Sequence, residues 1–374
     1  MISREISENL QNASWIRKMF EEGDRLVKRF GADNVFDFSL GNPQEEPPRI
    51  VRDTHRDLVL NPPPGLHRYM SNAGYPETRE AVASVIAAEI GRGFPAANVV
   101  MTTGAAGGLN VVLKSILNPG DEVIVFAPFF VEYCFYIRNS GGVPVICPTD
   151  SETFQPDPEK LAGALTPRTR AVILNSPNNP TGVVYPEETL RKLAEILSGQ
   201  EKRTGEPIYL LADEPYKKIV YDGIQVPEIL NIFGNSVIVS SYSKSLGLAG
   251  ERIGYAAVNT EIEDADQLVN AIVFCQRTLG FVNAPALAQK LLGKVLGSQV
   301  DVAVYDTRRK AMASVLEGYK YTMPKGAFYF FPEAPGGDDV AFCAALQEER
   351  ILAVPGTGFG YPGFFRLAFC VGED

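Results

Sequence analysis

The segment 241–254, SYSKSLGLAGERIG, carries the densest chemistry in the chain. Lys244 stands just past an apolar run, among small hydroxyl residues. Read alone it is a surface cation. In a partly buried setting the same amine loses proton affinity and becomes a nucleophile for carbonyl groups. Arg252, eight residues on, offers a planar fork suited to phosphate or carboxylate. Four other segments have comparable potential. TGAAGG at 103–108 precedes a helical pattern, so the backbone N–H groups around Ala105 and Ala106 either cradle an anion or simply make a tight turn. Phe129 and Phe130 are either core or a ring that stacks on a planar ligand. NSPNNPTG at 175–182 is a structured loop, with Asn179 able to aim an amide inward. In DEPY, Asp213 follows an apolar run and needs a partner once desolvated. It is either a helix cap or a carboxylate facing a cationic ring nitrogen, with Tyr216 three residues away.

These segments share one position: each follows a predicted strand. Apolar runs at 98–102, 122–127, 143–147, 171–174, 208–212 and 236–240 alternate with helical patterns such as 76–90, 107–117 and 186–197. Near-continuous apolar strands between helices indicate a mostly parallel sheet covered on both faces. Ligands of such sheets bind beyond the carboxyl ends of the strands. Past residue 290 the pattern changes. A helix at 299–319, a strand at 327–331, a helix at 338–349 and a strand at 365–370 suggest a smaller α+β domain. Near the other end, residues 13–30 read as an amphipathic helix, with Ile16, Met19, Phe20, Leu26, Val27 and Phe30 at helical spacing for packing at a domain edge or a subunit contact.

Composition removes several classes. The 374 residues carry 35 basic and 45 acidic side chains, a formal charge of −10, so phosphate backbones and anionic membranes are poor partners. Hydrophobic residues are 45 % and charged residues 21 %, an ordinary globular balance. The five cysteines are odd in number and form no CxxC, which argues against a disulfide framework or a zinc knuckle and fits a reducing compartment. With only His55 and His67 present, no His-rich metal site is expected. No run is long enough to span a bilayer, and MISREISENLQ has charges where a signal peptide would be apolar. The expectation is a cytoplasmic protein without membrane or nucleic-acid partners.

An anion loop, a stacking ring, an acid, a phenol, a lysine and an arginine at consecutive strand ends form the set that pyridoxal 5′-phosphate requires. The run Ser241-Tyr242-Ser243-Lys244, with Gly247, Leu248, Gly250, Arg252, Ile253 and Gly254, resembles the lysine-attachment signature of class I/II aminotransferases. NNPTG at 178–182, DEPY at 213–216 and YMSNAGYPETREAVA at 69–83 match that family in order and spacing. The resemblance implies a fold type I α/β enzyme, a homodimer with active sites at the subunit interface. Its large domain, residues 46–298, holds the mostly parallel central sheet covered by helices. Residues 1–45 and 299–374 form the smaller α+β domain.

The resemblance also implies ping-pong transfer of an amino group from an α-amino acid to a 2-oxo acid through a Lys244 Schiff base. Asp213 meets the ring nitrogen, and Asn179 and Tyr216 the ring's phenolic oxygen. Phe130 stacks on the ring, where many relatives have Trp or Tyr. Ala105, Ala106, Ser241 and Arg252 hold the phosphate, with Tyr69 reaching the neighbouring subunit's cofactor. Arg366 grips the substrate α-carboxylate, and the backbone of Gly41 lies over the substrate. Some dicarboxylate-specific relatives have Lys where Ala106 stands. Arg277 lies roughly where others supply an arginine across the interface, and Phe281, Phe328 and Tyr329 offer instead a pocket for an apolar side chain. A C–S β-lyase sharing every cofactor residue is the alternative. A nicotinamide enzyme is disfavoured, since no GxGxxG follows a strand. A DNA-binding regulator on this fold is disfavoured by the acidic chain and by the shortness of residues 1–40.

Overall fold

The computed structural model describes residues 2–3, 6–7 and 15–372. The first long element is helix α1 (Trp15–Phe30). Ala13 and the side chains of Ile16, Met19 and Phe20, on which part of the amphipathic reading rests, lie outside the described residues. Of the rest of that face, Leu26 is buried while Val27 and Phe30 are exposed.

A seven-stranded sheet forms the centre. The strands in chain order are β1 (Phe36–Asp37), outside this sheet, then β2 (Val99–Thr102), β3 (Glu122–Ala127), β4 (Val143–Pro148), β5 (Thr169–Asn175), β6 (Tyr209–Asp213), β7 (Ser236–Ser241) and β8 (Gly254–Val258). Their spatial order is β2-β8-β7-β6-β5-β3-β4, parallel throughout except for β8, which runs against both neighbours. Six of these strands correspond to the apolar runs of the sequence. Burial on two sides explains the apolar character of five of them; the sixth, β4, is at one edge of the sheet and leaves Val143 and Ile146 exposed. Val99, Met101, Ile124, Phe126, Val172 and Leu174 pack into one core, and the alternating Val100, Val123, Val125, Ala171 and Ile173 into a second on the opposite face.

The register brings the strand ends to one level. Thr102 and Ser241 both lie opposite Gly254, and Asn175 lies opposite Asp213. Helix α2 (Arg49–Leu60) and helix α3 (Pro76–Ile90) precede the sheet, and Pro76 at the start of α3 and left-handed Gly91 after its end bound it as expected. Helix α4 (Gly104–Ile116) begins three residues earlier than the sequence pattern indicates, so Ala105 and Ala106 occupy its first turn rather than a free loop.

The remaining strands are β9 (Tyr329–Phe330), β10 (Ile351–Leu352), β11 (Val354–Pro355) and β12 (Phe365–Ala368). β9, β12 and β11 form an antiparallel sheet, and β1 pairs in parallel with β10, tying residues 36–37 to 351–352. A third core gathers Phe328, Phe330, Phe365, Leu367 and Phe369 around Tyr305. The expected helix 299–319 is shorter, Val302–Val315. The expected helix 338–349 is Asp339–Glu348, with the Asp338 carboxylate accepting from the Ala341 N–H as its cap.

Candidate active site

A cleft of about 260 Å³ opens at the carboxyl ends of the parallel strands. Its walls include Gly41, Ala105, Ala106, Phe130, Asn179, Asp213, Tyr216, Ser241, Lys244, Arg252 and Arg366, segments more than 300 residues apart in the chain. Tyr69 is apart from this group and is 92 % exposed. Arg277 is exposed on the last turn of the helix Ala265–Thr278.

Lys244 lies three residues past the end of β7, and its Nζ donates to the Gly41 carbonyl at 2.6 Å. The amine sits over the Phe328 ring at 5.5 Å. Burial pushes its pKa down to about 8; Cys370 opposes the shift, and the charges of Arg366 and Arg252 add to it. Gly41 owes its identity to Tyr329, whose hydroxyl oxygen would stand 1.9 Å from any Cβ placed there.

Asp213 ends β6 in full burial. Its Oδ2 accepts from the Tyr133 hydroxyl, whereas Oδ1 is buried with no hydrogen-bond partner. Burial raises its pKa to about 7, and the Tyr133 bond partly offsets this. No helix follows for it to cap, so the capping alternative falls away. Asn175, ending the neighbouring strand, donates to the Asp213 carbonyl at 2.9 Å and accepts from the Asn179 N–H at 2.7 Å. Tyr216 shares a hydrogen bond of 2.8 Å with Tyr329 through their hydroxyls.

Arg366, on β12, is 2 % exposed. It donates to Asn179 Oδ1 at 2.9 Å and to the Ser39 carbonyl, while its guanidinium lies 4.7 Å from the centres of both the Tyr329 and Phe359 rings. The two rings flank a guanidinium whose positive charge suits a carboxylate. At the other end of the cleft, the first turn of α4, the Ser241 hydroxyl and Arg252 converge, a helix N-terminus joined by a guanidinium.

These residues fit pyridoxal phosphate. The unpartnered Asp213 Oδ1 needs an N–H donor, a desolvated amine stands ready for an aldehyde, and a helix N-terminus with an arginine suits a phosphate. Sequence reasoning missed Tyr133 and Asn175; Tyr329, expected as a wall for an apolar side chain, lines the cleft and also bonds Tyr216. The requirement that a buried acid have a donor pointed to a residue of Tyr133's kind, but not to which one.

Comparison with known proteins agrees with this geometry. The family model for aminotransferase class I and II matches residues 33–374. A probable aspartate/prephenate aminotransferase of Thermus aquaticus is 34 % identical, the match spanning 93 % of this chain and 90 % of the relative. An aspartate aminotransferase of Thermotoga maritima is 33 % identical over 99 % of this chain and 94 % of its own. Among solved structures, an amino transferase from Eubacterium rectale superposes with a TM-score of 0.95 at 42 % identity, covering 100 % of this chain and 95 % of that one. The aspartate aminotransferase of Thermus thermophilus with maleate gives 0.88 at 30 % identity, covering 100 % and 96 %. The chain belongs to the class I and II aminotransferases. It has their α/β fold, is a transaminase, and uses pyridoxal 5′-phosphate.

Proposed function

We propose that this chain moves an amino group between an α-amino acid and a 2-oxo acid with the residues of the Gly41–Arg366 cleft in defined roles. The observation that carries the assignment is the convergence, in one cleft, of a desolvated lysine, a buried acid with a free oxygen and a ring-sandwiched arginine. Bound pyridoxal phosphate supplies an aldehyde for the amino group and a ring that withdraws electrons from the substrate Cα. Asp213 holds a proton on the ring nitrogen through the oxygen that is free in the protein alone. Asn179 and Tyr216 serve the phenolic oxygen, Phe130 covers one ring face, and the Ala105 and Ala106 N–H groups, Ser241 and Arg252 hold the phosphate. Arg366 binds the substrate α-carboxylate in a forked pair beside the Gly41 backbone. Lys244 removes the Cα proton and returns it on the other side of the transfer.

We also propose a homodimer in which Tyr69 reaches the partner's phosphate site. Its 92 % exposure in one chain supports this. A division into residues 46–298 and a smaller part, 1–45 with 299–374, is supported by the β1–β10 pairing, and closure of that part over substrate would exclude water. The five cysteines are buried and unpaired, which fits the cytoplasm, where we place the enzyme in amino acid metabolism.

The test is absorbance of the holoprotein titrated with single amino acids. The cofactor band should bleach with a donor and return on adding a 2-oxo acid. A band that persists while pyruvate and ammonia accumulate would move the reaction to β-elimination. Aspartate, named for the Thermus and Thermotoga relatives, is the first donor to compare.

A further inference from the structure

Tyr136 lines the cleft, and the roles above make no use of it. It stands on the helix Glu132–Asn139, three residues after Tyr133, so the two phenols share one face of that helix. The Tyr133 hydroxyl reaches Asp213, and Tyr136 lies about 4.5 Å further along the helix axis. That helix packs against α4, whose Leu109 lines the cleft one turn inward from Ala105. Arg252 lies at the start of α4: a Cβ on Gly104, the first residue of that helix, would stand 2.7 Å from Arg252 Nη2. Of the four tyrosines in the cleft walls, Tyr133 is bonded to Asp213 and Tyr216 to Tyr329. Tyr136 is half-buried, and its hydroxyl forms no hydrogen bond with any described residue. Burial raises its pKa above the ordinary tyrosine value, the charges of Glu132 and Asp213 add to the rise, and Arg252 opposes it. The phenol is therefore protonated at any working pH and free to donate.

We infer that Tyr136 is a further cofactor-binding residue: its hydroxyl donates to the phosphate of pyridoxal phosphate, beside Arg252 and the first turn of α4. The make-up of the cradle favours this. A phosphate presents three strong acceptor oxygens. Ala105 and Ala106 answer them with backbone N–H groups alone, because neither carries a hydroxyl. Ser241 supplies one hydroxyl and Arg252 a guanidinium. A phenol that donates to an anion makes a charge-assisted bond, stronger than one between neutral groups. Its ring also packs against the core that holds Leu109 and Tyr133, so little side-chain freedom is lost when the phosphate arrives.

This inference rests on the proposed phosphate site at Ala105, Ala106, Ser241 and Arg252. The experiment titrates the full-length protein, freed of cofactor, with pyridoxal phosphate and with pyridoxal, which lacks the phosphate. It compares the natural protein, Tyr136→Phe and Arg252→Ala by the absorbance of the bound cofactor. Tyr136→Phe should raise Kd for pyridoxal phosphate by about tenfold or more, the loss expected for a hydrogen bond to a charged group. It should leave Kd for pyridoxal unchanged, and it should shift the phosphorus magnetic resonance of the bound cofactor. A ring that only packs would move the two ligands together or move neither. Either of those results for Tyr136→Phe, with Arg252→Ala weakening pyridoxal phosphate alone, overturns the inference and keeps the phosphate site. If Arg252→Ala leaves pyridoxal phosphate as tightly bound as before, the phosphate site itself is wrong and the inference falls with it.

Discussion

Burial moves the titrations of Asp213 and Lys244 toward neutral pH, and the fold bears the cost. In the unfolded chain Asp213 loses its proton near pH 4, while in the folded protein it keeps it up to about pH 7. Between those values unfolding releases a proton, so this group makes the cofactor-free protein less stable as pH rises, with the full effect above pH 7. Glu214, also buried and also raised to about 7, adds a slope of the same sign. Asp213→Asn should therefore raise the melting temperature of the apoprotein at pH 8 and change it little near pH 4, while cutting turnover of the holoenzyme severely. Calorimetric melts at both pH values check this; an equal or lower midpoint at pH 8 would refute it. Lys244 has the opposite chemistry. With its pKa near 8, its free amine appears about two pH units before that of an ordinary lysine. Reductive methylation of the apoprotein at pH 8, read by mass spectrometry, should modify Lys244 ahead of surface lysines it can be compared with. Lys244→Ala should still bind the cofactor through the phosphate end but lose turnover. At this scale the sequence was highly legible, because strand-end position singles out Asp213 and Lys244. Their partners were not. Tyr133 lies 80 residues from Asp213, and Tyr329 lies 113 from Tyr216, so only the folded chain reveals those bonds.

The strand that follows Arg252 bears on the part of the cleft proposed for the phosphate. β8 crosses between β2 and β7, and a Cβ on its first residue, Gly254, would stand 2.4 Å from the Ser240 carbonyl oxygen and 2.9 Å from the backbone carbon of Gly104. Gly254→Ala should destabilise the protein by about 1–3 kcal/mol, the usual cost of overpacking. Because the clash falls on the residue that starts α4, it should also weaken cofactor binding, measured as the dissociation constant for pyridoxal phosphate. A variant that melted normally and bound cofactor normally would show that the backbone there can yield. This strand was not legible in the sequence. GYAAV has small residues and no strong alternation, and its direction follows from the reversal at Arg252, which takes up a left-handed conformation with φ 53°. The inner parallel strands were legible because burial on both faces writes an unbroken apolar run; β4, at the edge, is apolar but largely exposed. The helix ends were less so: α4 starts at Gly104, and no apolar periodicity marks its first turn.

For the whole molecule, the proposed dimer makes a prediction that no single chain can satisfy. If each site combines Lys244 of one chain with Tyr69 of the other, two defective variants should repair one another. Lys244→Ala lacks its own lysine but lends an intact Tyr69. Tyr69→Ala lends nothing but keeps its lysine. A mixed dimer then holds one site with both defects and one with neither. Random exchange of equal amounts leaves half the dimers mixed, so the blend should reach about a quarter of the natural activity where Tyr69→Ala alone contributes little. Activity above the mean of the two separate variants, appearing only after subunit exchange and tracking the dimer fraction seen by sedimentation, is the expected outcome. Activity at that mean would place Tyr69 outside the partner's site. A monomer at assay concentration would remove the shared site altogether. Tyr69, Phe274 at 66 % and Leu279 at 44 % are exposed in one chain, the aromatic and aliphatic kinds of residue that interface cores favour.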